Sequence, residues 1–159
     1  IRRAFLSLTL EEFNQLLDTP IWMALLAAYT GDGKVSEGER ASAVKLANLR
    51  TFTSPKSIRE YWEKVDERFE ERFDLFMKRV PENRDDKIIY IEAQVKKGHA
   101  VLDKVDPEIA ADVEDSLASF YRHVFNADKT FFQYFALPIF SEKLDKFSGR
   151  YRRFDEDAD

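Results

Sequence analysis

The chain has no cysteine at all. That excludes disulfides, thiolate metal sites and cysteine nucleophiles together, and it fits a reducing compartment such as the cytoplasm. Histidine is almost as scarce, with 2 residues, so chemistry that relies on imidazole clusters has little to draw on. Glycine and proline number 5 each among 159 residues, too few for a loop-rich or collagen-like chain. Long hydrophobic runs are also missing. The longest, from Ile21 to Tyr29, falls well short of the roughly 20 residues that a membrane-spanning helix needs. No signal-peptide pattern is seen at the N-terminus. Nor is there a surplus of positive charge. Lys and Arg total 25 against 30 Asp and Glu, and the basic clusters are confined to Arg2-Arg3 and to Arg150, Arg152 and Arg153, so nucleic-acid binding is disfavoured.

What is present is a soluble, helix-forming pattern. Hydrophobic residues make up 44% and charged ones 35%, enough of each for one domain with a continuous core and a solvated surface. No segment alternates with the period of a strand. Thr9 and Glu12 have capping-box spacing, followed by Leu10, Phe13, Leu16 and Leu17 at helical intervals. Thr19-Pro20 repeats the start signal, so the spacing predicts one short helix over 10–18 and a second, apolar nearly all round, over 20–30. Ser36 and Glu39 form another capping box and open a helix to about Arg50, with Ala43, Leu46, Ala47 and Leu49 on its apolar side. After Ser54-Pro55, the residues Ile58, Trp62, Val65, Phe69, Phe73, Phe76 and Val80 mark a long amphipathic helix. A helix bearing Ile88, Ile91, Val95 and Val101 follows, with Gly98 as an interior weak point. Asp106-Pro107-Glu108 opens the next, striped by Ile109, Val113, Leu117, Phe120 and Val124. A last helix runs to about Phe147 through a Phe-rich stretch interrupted by Pro138. The expectation is an all-α single domain over 1–159, a compact bundle of about seven helices, with 1–8 and 150–159 as tails.

Three of the five glycines lie in one short stretch, Gly31-Asp32-Gly33-Lys34-Val35-Ser36-Glu37-Gly38-Glu39. Set on the register of a calcium-binding EF-hand loop, Gly33 takes the invariant glycine position, Asp32 the fifth, Ser36 the ninth and Glu39 the twelfth. The first half of the motif fails, because Ala28 and Thr30 stand where acidic or amide oxygens are needed. The alternative is that Gly31 and Gly33 make a helix-ending turn and that Ser36 and Glu39 cap the next helix. Elsewhere Glu92, His99 and Asp103 share a helical face and have ligand chemistry suited to zinc; a solvated polar face is the preferred reading. No nucleophile and base can be paired from the sequence, and a non-enzymatic role is expected.

The run from Trp22 to Glu39, an Ala-Leu-Leu-Ala-Ala-Tyr helix leading into Gly-Asp-Gly-Lys-Val-Ser-Glu-Gly-Glu, resembles the tellurite-resistance TerB family. The resemblance implies a cytoplasmic helical bundle of two related halves, a role in stress response, and acidic residues holding a divalent cation such as calcium, zinc or manganese. By position, Asp32 and Glu39 are the matching acids and Gly33 the turn. Aligning Tyr29–Lys34 with Phe125–Thr130 pairs Asp32 with Asp128, which makes Asp32, Glu39 and Asp128 the implied shared metal site. In that repeat Lys129 replaces the glycine and Phe135 falls at the place of Glu39, so a symmetric pair of sites is not expected. The alternative is a helical protein-interaction or dimerisation module in which the loop is purely structural and the partner is another protein or a second copy.

Overall fold

In the computed structural model, residues 2–31 and 33–124 are described, with side chains from residue 4 onward. Among these residues the chain is all-helical, without strands: α1 (Arg2–Phe5), α2 (Leu10–Gly31), α3 (Glu37–Thr53), α4 (Arg59–Arg79), α5 (Arg84–Val101) and α6 (Pro107–His123). Short 3-10 turns at Lys56–Ile58 and Leu102–Lys104 lead into α4 and out of α5. α2 is the central element, packed against α5, α4 and α6, while α3 lies on α4. Every residue from Leu16 to Leu26 of α2 is buried, as expected of a segment apolar on all sides. The seven-residue stripe of α4 is likewise buried in full, from Ile58 to Val80.

The count of about seven helices needs correction. Five long helices and the single turn α1 occupy the described residues, because the two helices expected over 10–18 and 20–30 are one. The helix expected to run to Phe147 lies outside the described residues. The fusion has a specific cause. Pro20 cannot donate to the carbonyl of Leu16, a loss that ordinarily kinks or ends a helix. Here the Tyr61 hydroxyl of α4 donates to that carbonyl at 2.9 Å, and both groups are buried. Thr19 does not act as a cap; its hydroxyl donates back to the carbonyl of Gln15 at 2.9 Å. The true start is the Thr9/Glu12 capping box, in which the Glu12 amide donates to Thr9 Oγ1 and the Thr9 amide to Glu12 Oε1.

Tyr61→Phe should therefore cost about 1–3 kcal/mol, the penalty of stranding a buried carbonyl, read as a lower urea midpoint with an unchanged slope. A loss below a few tenths would mean that water reaches Leu16.

Gly98 is not a weak point but a contact. A Cβ there would overlap Thr19 Oγ1 and lie 3.0 Å from Thr19 Cβ and 3.3 Å from the carbonyl oxygen of Gln15. The glycine is what lets α5 approach α2 at the turn that carries Pro20. On the other side of α2, buried Asp18 accepts from Arg72 Nε at 2.7 Å and pairs with Arg68 at 2.8 Å, tying α2 to α4 through charge.

Candidate functional site

The glycine loop behaves locally as its capping signals say. Gly31 closes α2, and Gly33 sits at φ +84°, in the left-handed region where a side chain would be strained. Ser36 is the N-cap of α3: its hydroxyl accepts from the Glu39 amide at 3.1 Å, while Glu39 Oε1 accepts from the Ser36 amide at 2.9 Å. One oxygen of Glu39 is thus engaged in starting the helix. Asp32 and Asp128 lie outside the described residues. Among the described residues, no three His, Asp or Glu side chains converge as a metal shell. Arg40, one residue beyond the box, forms a bidentate pair with Asp74 of α4, both contacts at 2.7 Å, and fastens the loop end of α3 to the bundle. That guanidinium holds the Asp74 carboxyl below its ordinary value.

A second polar concentration lies on α6, where sequence periodicity did not point. Beyond its apolar stripe, Asp112, Glu114, Ser116 and Ser119 are all buried. Each described contact runs to a different element. Ser57 donates to Asp112 Oδ2 at 2.6 Å, the Trp62 indole N–H donates to Ser116 Oγ at 2.7 Å, and Arg50 donates to Ser119 Oγ at 3.0 Å. His99 forms an ion pair with Glu114. His99 is consequently neither on a solvated face nor part of a trio with Asp103, which is exposed; it points from α5 into α6. The one signal for this layer is the polar spacing 112, 116, 119, which repeats at helical intervals beside the apolar stripe.

Arg50, Ser54, Pro55, Asp112, Asp115 and Ser116 enclose much of a cavity of about 50 Å³. Arg50 Nε and Ser54 Oγ are buried there without a protein partner, and a space of that size and polarity suits ordered water. Ser119 Oγ and His123 Nδ1 come within 3.4 Å, but the serine is buried and the ring nitrogen lies closer, at 2.7 Å, to the Ser119 carbonyl, so the pair has no route to a substrate.

Asp115, half-buried at this cavity, is pushed up to about 6, chiefly by burial and then by the neighbouring Glu114 charge. A raised carboxyl holds its proton more tightly in the folded than in the unfolded chain. Its stabilising effect is full below the ordinary carboxyl range and is lost as the pH rises through 6. Asp115→Asn should accordingly stabilise the protein on the order of 1 kcal/mol at pH 7.5, a figure reduced for partial solvent access, with the difference shrinking to nothing near pH 4. Urea titrations of both proteins at the two pH values check this; an equal gap at each would dismiss it.

The third feature is a groove between α3 and α4, of about 540 Å³, lined by Asn48, Thr51, Phe52, Arg59, Glu63, Asp66 and Glu67. Phe52 is 74% exposed, and its neighbour Leu49 is 44% exposed. Leu49 therefore departs from its expected place on the buried side of α3, which is filled instead by Ala43 and Ala47. No helix among the described residues is long and apolar enough to cross a membrane. No protein-family model, no curated protein and no solved structure matches the chain.

Proposed function

We propose that this chain is a non-enzymatic helical protein-interaction module whose docking surface is the α3/α4 groove, with the Gly31–Glu39 loop serving as a helix junction. The observation that carries this reading is Phe52. A phenylalanine three-quarters exposed beside an exposed leucine, at the mouth of an open groove, is a costly arrangement for an isolated domain and the usual form of an interface anchor. The loop supports the same reading from the other side, since Glu39 and Ser36 are used on each other and Arg40 is used on Asp74.

A photo-reactive phenylalanine analogue at position 52 tests the proposal against the same analogue at Ile89, which is 65% exposed but outside the groove. Discrete cross-links to polypeptide are expected from position 52 and not from 89. Phe52→Ser should leave stability within about 0.5 kcal/mol, as for a surface substitution, while weakening association. Equal labelling at both positions, or none at 52, would remove the reading.

A further inference from the structure

The groove is acidic as well as apolar, and its charge is left over from the packing of the bundle. Elsewhere the described carboxylates that approach cations are paired: Glu12 with Lys104, Asp18 with Arg68 and Arg72, and Glu37, Glu70 and Asp74 with Arg40. Around Phe52 the pattern changes. Glu63 and Glu67 are exposed and make no ion pair with a described residue, and Asp66 accepts only from the uncharged Asn48 amide at 3.0 Å. Three carboxylates thus face the groove against one guanidinium, Arg59, which is itself unpaired among the described residues. A surface with this net charge and an aromatic anchor selects a segment that alternates arginine or lysine with aromatic residues. Cations offset the carboxylates and stack on the Phe52 ring, while rings pack on Phe52 and Leu49.

The chain contains such a segment. Arg150-Tyr151-Arg152-Arg153-Phe154 puts three arginines and two aromatic rings into five residues, the densest basic cluster in the sequence. It lies outside the described residues, and only its composition enters the argument. We infer that the α3/α4 groove receives the Arg150–Phe154 stretch of a second copy of this chain, and that reciprocal exchange closes a two-fold dimer. The inference rests on the groove being a docking surface, as proposed above, and names its occupant.

The test uses the full chain and its mass in solution by sedimentation, from low to high micromolar concentration and at two salt concentrations. The expected result is a monomer–dimer equilibrium that weakens as salt screens the exposed charges. Glu63→Lys with Glu67→Lys, and separately Arg152→Glu with Arg153→Glu, should each raise the dimer dissociation constant by about tenfold or more. Mixing those two variants restores dimers, because each then offers the other a groove and a stretch of opposite sign, whereas each alone repels itself. All four side chains can be checked for unchanged folding by circular dichroism. A wild-type chain that stays monomeric throughout overturns the inference, and so does a dimer indifferent to both charge reversals or a mixture that remains monomeric. If cross-links from position 52 reach a different protein while the chain is monomeric, the docking groove stands and the second copy does not. If Phe52→Ser breaks the dimer but the arginine reversals leave it intact, the groove is the interface and this stretch is not its ligand.

Discussion

Gly98→Ala is expected to lower stability by about 2 kcal/mol, although alanine is the better helix former by roughly 1 kcal/mol. Two effects compete, and the geometry decides between them. The added methyl would overlap Thr19 Oγ1 and press on Thr19 Cβ and on the backbone oxygen of Gln15. Rotating the threonine relieves only the first of these and breaks its hydrogen bond to Gln15. The backbone contact remains, so α5 must move away from α2 at the most extensive helix pair of the bundle. A fall of about 4–8 °C in melting temperature is the corresponding measure for a chain of this length. Thr19→Ala in the Gly98→Ala background should recover part of the loss, and a double-mutant cycle would show the coupling. An alanine variant as stable as the parent would mean that the α2/α5 crossing has slack that the structure does not show.

Asp18→Asn should be at least as damaging, by about 3 kcal/mol. Asp18 is buried in the middle of α2 and serves two arginines at once, with Arg72 contributing both Nε and a terminal nitrogen. Asparagine keeps the volume but removes the charge and turns one acceptor into a donor facing guanidinium. A half-removed ionic cluster is worse than none, because the desolvation of the remaining cations is no longer offset. Arg68 and Arg72 keep partial access to solvent at 22% and 30% exposure, which places the expectation toward the lower end of the range for broken buried pairs. Replacing all three by hydrophobic residues of similar size should cost less than Asp18→Asn alone. Chemical denaturation of the single and triple variants compares them; a single variant milder than the triple would contradict the charge argument.

How far this structure could be read in advance depended on whether the deciding partner was near in sequence. The α4 stripe from Ile58 to Val80, the Thr9/Glu12 and Ser36/Glu39 boxes and the buried character of Leu16–Leu26 all follow from residues three or four apart, and the helices carry them out. Within the candidate loop, Gly33, Ser36 and Glu39 act locally and could be placed, whereas the acids that would complete a metal shell with Glu39 are Asp32 and Asp128, outside the described residues. The Thr19-Pro20 signal failed because Tyr61, some forty residues later, satisfies the Leu16 carbonyl that proline leaves open. Likewise Leu49 and Phe52 have the composition of core residues, and only the placement of α3 on α4 leaves them facing outward at the groove.

By itself, then, the sequence determined an all-helical chain, most of the helix starts and the residues of the main apolar stripes, since hydrogen bonding within a turn and burial of one helix face are short-range consequences of residue order. The tertiary structure alone decided that α2 runs unbroken through Pro20, that Gly98 is a crossing point, that α6 buries a polar layer, and that Phe52 stands exposed among unpaired carboxylates. Each of those depends on a group brought from a distant part of the chain, and no local pattern records which group will arrive.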